Sequence, residues 1–279
     1  MNLDGIHHVA AITADGSDCD DFYGLLLGLD RIPRRTGGRA LVFGDASGTP
    51  GSVISFDEVP GAPAGRLGPG LVHRILWRVE GPSALDFWQR RLELAGIGVD
   101  EVLRGGDIAL RFSDPEGLAH ELVVDDGSGP ALTATATAIP AEHRIRGLAG
   151  ARACVRGSVE SSDLLAGRLG FQGVGAGEWL IDGAGGRARY SCDPAPAERP
   201  VQGTGTVTYV AWSCRPGDER AWRQRVIGMG ATVSGIVDVD RCRCFFFREP
   251  DGVLFAVATR DGAPGAASFP RSSVTSEAA

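Results

Sequence analysis

Hydrophobic and polar residues change at the start of the chain from a strand-like to a helix-like pattern. Alternation in GIHHVAAIT at 5–13 predicts a half-buried β-strand. SDCDDFYGLLLGL at 17–29 begins with Ser and Asp, carries apolar residues at helical spacing and ends near a glycine, so it predicts a helix. Two short apolar runs, at 39–45 and 51–59, are separated by glycine and proline and predict two further strands.

Two pairs of segments repeat with the same spacing. GLVHRILWRV at 70–79 matches GTVTYVAWSC at 205–214, and FSDPEGLAHELVV at 112–124 matches FREPDGVLFAVAT at 247–259. Both pairs are 135 residues apart, which indicates an internal duplication. Between the first members of the two pairs lies a predicted helix at about 82–95, and the unit closes with a hairpin whose turn is Asp-Pro-Glu-Gly.

The repeat predicts an α+β protein of two similar halves. The N-terminal half covers 1–126 and the C-terminal half covers 147–260. Residues 127–146 contain few large apolar side chains and predict a linker. Residues 261–279 are rich in Ser, Ala, Gly and Pro and predict a flexible tail.

The composition narrows the class of protein. A chain of 279 residues with 43% hydrophobic and 23% charged residues is typical of a globular protein. A net charge of −7 argues against nucleic acid and anionic membranes as partners, and no apolar run approaches the roughly 20 residues that span a bilayer. We expect a cytoplasmic location and six reduced cysteines, because no signal-peptide pattern is present. All 28 cationic residues are arginine, which excludes lysine-based chemistry.

The two halves, with IHH on the first strand and DPEG or EPDG before a closing strand, resemble the vicinal oxygen chelate superfamily. This superfamily contains glyoxalases, bleomycin-resistance proteins and ring-cleaving dioxygenases, and the chain is most similar to dioxygenases that cleave hydroquinones. The resemblance covers most of residues 4–260. It implies tandem glyoxalase-like halves, each of paired βαβββ units, whose sheets curl into cups open to small molecules.

The resemblance also implies a site in which two histidines and one glutamate hold a ferrous or manganous ion. His8 stands at the first of these positions, but Tyr209 stands at the second and Ala256 at the third. Phe246 falls at a pocket tyrosine of the family, and Arg241 at an arginine that follows an aspartate. With two of three ligands replaced, we expect no metal and no cofactor.

We expect three catalytic residues. His8 would act as a general acid or base, Tyr209 as a hydrogen-bond or proton donor, and Arg241 as the group that binds an anionic oxygen. Residues expected to bind the substrate are His7, Thr208, Trp212, Phe246 and Ala256. In a regular strand His7 would lie on the face opposite His8 and support the site from behind.

Several of these residues also have a structural interpretation. Tyr209 could fill the space left by a histidine, and Arg241 could pair with a neighbouring aspartate. Trp77 and Trp212 are equivalent in the repeat, which favours core packing of both over ligand stacking.

Two further clusters are candidates for other sites. Arg74 and Glu121 stand in the first half where Tyr209 and Ala256 stand in the second, and they predict an internal ion pair more strongly than a second active site. Cys242 and Cys244 share a strand face and, with His8, form a weak candidate zinc site.

We therefore predict a metal-independent tailoring enzyme of the lyase or cyclase type. It would dehydrate, cyclise or isomerise an aromatic polyketide-like small molecule in antibiotic biosynthesis. One alternative is a drug- or metabolite-sequestering protein of the bleomycin-resistance type, and another is an extradiol-type dioxygenase with substituted metal ligands. The expected partner is an aromatic small-molecule substrate, with no nucleic acid, no membrane and a possible homodimer.

Overall fold

A computed structural model describes residues 1–33, 40–135, 138–175, 177–183, 186–239 and 242–260. These residues form two eight-stranded sheets with few helices, which confirms the predicted α+β class. The strands are β1 (Ile6–Thr13), β2 (Asp30–Arg31), β3 (Ala40–Gly44), β4 (Val53–Glu58), β5 (Leu71–Val79), β6 (Asp100–Arg104), β7 (Asp107–Ser113), β8 (Ala119–Val124), β9 (Leu148–Val155), β10 (Gln172–Gly175), β11 (Glu178–Gly183), β12 (Gly186–Pro194), β13 (Val207–Cys214), β14 (Val237–Val239), β15 (Cys242–Arg248) and β16 (Leu254–Thr259).

The helices lie at equivalent places in the four units. Helix α1 is a single α-turn, Gly16–Cys19, that continues as a π-helix over Asp20–Leu26, and α3 repeats this with Val159–Ser162 and Asp163–Leu169. Helix α2 covers Pro82–Leu94, α4 covers Glu219–Ile227, and a short 3-10 helix covers Ala141–His143. None of the described helices is long and apolar enough to cross a membrane.

Each sheet contains units from both halves of the sequence. The first sheet has the order β14-β15-β16-β13-β1-β4-β3-β2, so it joins the first unit of the chain to the last. The second sheet has the order β10-β11-β12-β9-β5-β8-β7-β6 and joins the two middle units. Each sheet curls into a half-barrel, and we call the concave faces the first cup and the second cup.

The strand register is the same in both cups. At the centre of the first sheet β1 pairs antiparallel with β13, and in the second sheet β9 pairs antiparallel with β5. In the outer hairpins Phe246 lies opposite Ala256, and Arg111 lies opposite Glu121. Two residues that are 135 positions apart therefore occupy equivalent positions, one in each cup.

The main core lies on the faces of the sheets that are opposite the cups. Trp77, Trp88, Trp212 and Trp222 are all fully buried there, which confirms the packing expected for Trp77 and Trp212. Burying four indole rings contributes several kcal/mol to folding at about 25 cal/mol per Å² of apolar surface. This core holds both sheets rigidly enough to place side chains inside the cups.

The segment predicted as a linker packs against the first two units of the chain. Trp88 Nε1 donates to the His143 carbonyl over 2.7 Å, and the Thr135 hydroxyl donates to the Asp30 carboxylate over 2.9 Å. The predicted flexible tail, residues 261–279, lies outside the described residues, as does Arg241.

Candidate functional site

One wall of the first cup is apolar. It is a cluster of buried residues drawn from β1, β13, β14, β15 and β16: Ala10, Tyr209, Ala211, Val239, Cys242, Cys244, Phe246, Leu254, Ala256 and Ala258. Most of these are small, because alanine alternates with outward residues along the central strands. On the other side of β1, Ser55 and Asp57 of β4 lie beside Ala10 and Ile12 and add polar groups.

A chain of hydrogen bonds links three side chains beside this wall. The Tyr209 hydroxyl lies 3.0 Å from His8 Nε2, and His8 Nδ1 lies 2.9 Å from His7 Nδ1. His7 Nε2 in turn lies 3.0 Å from the Thr259 carbonyl at the end of β16. The register of β1 against β13 shifts between Ile6 and His8, and this irregularity lets two adjacent histidine rings meet.

The carbonyl at one end of the chain determines where each proton lies. A carbonyl only accepts, so His7 Nε2 carries the proton and its Nδ1 is an acceptor in the neutral ring. His8 must then donate from Nδ1, which leaves a lone pair on Nε2. The Tyr209 hydroxyl therefore donates to His8 Nε2. His7 fixes the tautomer of His8, a role close to the supporting one expected from the sequence.

Burial keeps both histidines neutral. Desolvation lowers the pKa of His7 to about 4, opposed in part by its hydrogen bond to Thr259. Desolvation also holds the pKa of His8 well below its ordinary value, and the neighbouring His7 lowers it further. His8 is therefore a neutral hydrogen-bond acceptor at physiological pH.

The other predicted site residues divide between the two faces of the first sheet. Phe246 and Ala256 are paired across β15 and β16 and lie in the cup, where the Phe246 ring meets the Tyr209 ring edge-on at 5.0 Å. Trp212 lies on the other face and packs at right angles to Phe171, with 4.8 Å between ring centroids. Thr208, next to Tyr209 in β13, also points away from the cup by strand alternation.

The second cup is charged where the first is apolar. Glu121 is fully buried, and its carboxylate accepts from Arg104 Nε over 2.9 Å and from Arg74 Nη1 over 3.2 Å. Arg152 holds Asp193 through two bonds of 2.6 and 2.9 Å. The predicted ion pair of Arg74 and Glu121 is confirmed, with Arg104 as an additional partner.

Comparison with known proteins identifies the family. A sequence profile of the Glyoxalase/Bleomycin resistance protein/Dioxygenase superfamily matches residues 5–122. The chain is 33% identical over 95% of its length to "Putative ring-cleaving dioxygenase MhqA" of Bacillus subtilis (strain 168), covering 89% of that protein. It is 31% identical over 91% of its length to "Putative ring-cleaving dioxygenase MhqO" of the same organism, covering 84% of it. The chain belongs to the glyoxalase/bleomycin resistance/dioxygenase superfamily.

Solved structures of superfamily members agree with the fold. A Bacillus subtilis structure titled as a dioxygenase superimposes with a TM-score of 0.83 and 28% identity, covering 93% of this chain and 86% of that one. Glyoxalase I from Zea mays superimposes with a TM-score of 0.61 and 13% identity over 92% of each chain, and this likeness concerns the fold alone.

These relatives overturn the predicted metal-independent lyase or cyclase. The relatives are named ring-cleaving dioxygenases, which belong to the oxidoreductases, and no finding connects the chain with antibiotic biosynthesis. The sequence argument failed because it inferred the reaction from two replaced ligands, whereas similarity along almost the whole chain supports an enzyme of the relatives' class.

The residues at the family's metal position do not form its ligand set. His8 Nε2, the nitrogen that a metal would need, already accepts the Tyr209 hydroxyl, and Ala256 offers only a methyl group. Within the described ranges no group of three or more His, Cys, Asp or Glu side chains is placed to hold a metal ion. The described side chains thus fit neither a two-histidine, one-carboxylate site nor the candidate zinc site of His8 with Cys242 and Cys244.

Sequence reasoning missed a second buried polar network, around His120. Trp77 Nε1 donates to His120 Nδ1 over 3.1 Å, so the neutral ring carries its proton on Nε2 and donates to Tyr23 over 2.9 Å. The Tyr23 hydroxyl then donates to Asp114 over 2.8 Å. Burial lowers the pKa of His120 to about 3 and raises that of Asp114 to about 6. This network joins the π-helix of α1 to β5 and β8 and is structural; the Asp-Pro-Glu-Gly turn was its only signal.

Proposed function

We propose that the chain is an oxidoreductase of the ring-cleaving dioxygenase class and that it binds an aromatic diol in the first cup. The observation that carries this proposal is the 33% identity, over 95% of the chain, to a protein named for that activity. The polar chain of Tyr209, His8 and His7, set in an apolar wall, supports it. Recognition of an oxygenated ring needs this combination of apolar surface and few placed polar groups.

Different residues in the cup would bind the hydroxyl groups of a diol and its aromatic ring. A ring hydroxyl can replace the Tyr209 hydroxyl as the donor to His8 Nε2, which has no proton of its own. Tyr209, once displaced, donates to a ring oxygen instead. Ala211 and Ala256 are fully buried in the same cluster as Tyr209 and Phe246, and their methyl groups offer an apolar surface to the ring once Tyr209 is displaced.

His7 holds His8 in the tautomer that this binding requires. Because His7 Nε2 is committed to the Thr259 carbonyl, His8 cannot present a proton on Nε2 while His7 stays neutral. A hydrogen bond from the diol to a desolvated imidazole draws the hydroxyl proton away from the ring oxygen and increases the electron density of the ring. An electron-rich ring is the form in which a diol reacts with an oxidant.

The test is oxygen consumption with hydroquinone and with catechol, measured after chelation and after addition of ferrous or manganous ion. Cleavage by a dioxygenase adds both oxygen atoms to the product, so mass spectrometry should find the diol mass plus one O₂. Tyr209→Phe and His8→Gln should each slow turnover by about 10²-fold. Tyr190→Phe, a change to a buried tyrosine of the second sheet, is the matched control.

Two results would overturn the proposal. One is the absence of oxygen uptake with every diol under every metal condition. The other is uptake that Tyr209→Phe and His8→Gln leave unchanged. If the first result came with tight binding of a diol, it would favour a sequestering protein.

A further inference from the structure

The second cup encloses a cavity that the proposed reaction does not use. Its volume is about 510 Å³, and seven of the eight strands of the second sheet line it. The size lies within the range of about 300–1,000 Å³ that is typical of small-molecule sites. The cavity therefore has room for a ligand of one or two rings.

The lining of this cavity has five arginines and five carboxylates, but guanidinium groups outnumber carboxylates around Glu121 and Glu178, where Arg74 and Arg111 lie near the lining arginines without lining the cavity themselves. Five arginines cluster there, and we call them the arginine cluster: Arg74, Arg104, Arg111, Arg152 and Arg189. Three carboxylates compensate them. Glu121 pairs with Arg74 and Arg104, Asp193 pairs with Arg152, and Glu178 is shared between Arg152 and Arg189. Two positive charges of the cluster are left without a carboxylate partner of their own.

The buried arginines of the cluster repel one another. Burial lowers the pKa of Arg74, and the neighbouring Arg111 lowers it further despite the attraction of Glu121. The Nε atoms of Arg74 and Arg111 are buried and have no hydrogen-bond partner among the described residues. Neither residue lines the cavity, so their positive charges act on it through space and favour an anion at this end of the cup.

Three arginines of the cluster line the cavity, Arg104, Arg152 and Arg189, and two of them have N–H donors that are not used in bonds to carboxylates. Arg189 uses one N–H in a 3.3 Å bond to Glu178, and Arg104 uses two in its bonds to Glu121. A guanidinium has five N–H donors, so each can also bind a second acceptor. The Arg189 side chain is 46% exposed and the Arg104 side chain is 33% exposed, so a ligand can reach both without a change in the fold.

Apolar side chains line the cavity beside the charged ones. Leu180 lies opposite Arg189 on the neighbouring strand, and Leu76 lies opposite Glu121. Leu103 and Ile108 also line the cavity and remain 73% and 50% exposed. Large aliphatic side chains left in water favour contact with an apolar ligand surface. A ligand that matches this lining has one negative group and one apolar body.

From these observations we infer that the second cup binds a small aromatic carboxylate. The carboxylate accepts from Arg104 and Arg189, and the ring packs against Leu76 and Leu180. Bidentate contact with a guanidinium is the geometry that a carboxylate favours. This inference does not depend on the proposed reaction in the first cup.

The test uses benzoate, benzyl alcohol and benzamidine, three probes of one shape with negative, neutral and positive groups. Calorimetric titration should show one benzoate site per chain and weaker or no binding of the other two. Arg189→Gln should weaken benzoate binding about tenfold, the effect of losing one charged hydrogen bond of about 1.4 kcal/mol. The matched control is Arg31→Gln, because Arg31 is 45% exposed and pairs with Asp20 on the edge of the first sheet.

Three outcomes would overturn the inference. The first is the absence of saturable benzoate binding, and the second is equal binding of benzoate and benzyl alcohol. The third is benzoate binding that Arg189→Gln and Arg104→Gln leave unchanged while Tyr209→Phe abolishes it. That third pattern would place the anion in the first cup, so failure here is distinguishable from failure of the proposed oxidation.

Discussion

The first cup carries Tyr209 and Ala256 at the positions where the second cup carries Arg74 and Glu121. The backbone register is shared, yet one cup carries a buried apolar cluster with a hydrogen-bonded tyrosine and the other is an ion-paired cavity. Tyr209 and Ala256 carry no charge, so Tyr209 can move aside for an aromatic ring at small electrostatic cost. A buried carboxylate held by two guanidinium groups cannot open without leaving charges unpaired.

The two cups also differ at the position of His8. Strand pairing places Gly150 of β9 opposite Leu76, as His8 of β1 lies opposite Ala211. A Cβ on Gly150 would lie 1.9 Å from the Arg189 carbonyl, and the glycine has a φ of 149°. No side chain fits there, so the second cup cannot carry an imidazole at this site. The two cups therefore share a strand register after duplication but carry different side-chain chemistry.

The largest expected effect is loss of the buried ion pair in the second cup. Glu121→Leu leaves Arg74 and Arg104 without their shared carboxylate, so we expect the free energy of unfolding to fall by about 3–5 kcal/mol. Urea denaturation measures it. The same change at Glu93, which is exposed on α2, should have little effect. A loss no larger than at Glu93 would show that the pair is not needed to hold this cup.

A second test converts the first cup toward the metal site of the relatives. Tyr209→His with Ala256→Glu should place two imidazoles and a carboxylate on the wall that now holds His8, Tyr209 and Ala256. Manganous ion at 100 times its dissociation constant should then raise the free energy of unfolding by about 2.7 kcal/mol. Each single variant and the wild type are the controls. If manganous ion stabilises the wild type equally, Tyr209 itself contributes to metal binding and the comparison of ligand sets fails.

The third test uses pH, because the folded chain holds a buried histidine neutral in each sheet, His7 in β1 of the first and His120 in β8 of the second. His7 and His120 have pKa values lowered to about 4 and about 3, so the unfolded chain binds more protons than the folded one between pH 6.5 and these values. The stability that the folded chain gains relative to the unfolded one is therefore fully present above pH 6.5, where both states hold these histidines neutral, and it is lost as pH falls. Between pH 7 and pH 5 each of these two histidines should lower the free energy of unfolding by about 2 kcal/mol, at 1.36 kcal/mol per pKa unit.

The raised pKa of Asp114 acts in the opposite direction and offsets about 1 kcal/mol of this loss. Chemical denaturation at both pH values measures the sum. His120→Gln should remove about 2 kcal/mol of the pH dependence. A stability that does not change over this interval would mean that the folded histidines titrate normally.

The smallest expected effect is the removal of one hydroxyl from the first cup. Tyr209→Phe deletes the donor to His8 Nε2 and should lower the free energy of unfolding by about 1 kcal/mol. Nitrogen NMR should show His8 still protonated at Nδ1, because His7 and Thr259 determine that tautomer. Proton transfer to Nε2 in this variant would show that Tyr209, and not His7, fixes the tautomer.

Much of the fold and part of the site could be predicted from the sequence. The 135-residue repeat and the IHH and DPEG motifs led to the α+β class and to the superfamily, because alternation and repeat spacing can be read from the order of residues. The same reasoning led to the ion pair of Arg74 and Glu121. The predicted chemistry was wrong, because residue types at three positions do not by themselves specify a reaction.

The sequence by itself determined which residues alternate toward each face of a strand, since that depends only on the order of side chains. Only the tertiary structure decided that units from opposite ends of the chain share a sheet, and that an irregular register brings the rings of His7 and His8 together. It also decided that Arg104, Arg152 and Arg189, from three different strands of the second sheet, line one cavity. These features depend on contacts between distant residues, whose geometry is set by the packing of the whole chain and not by any local pattern.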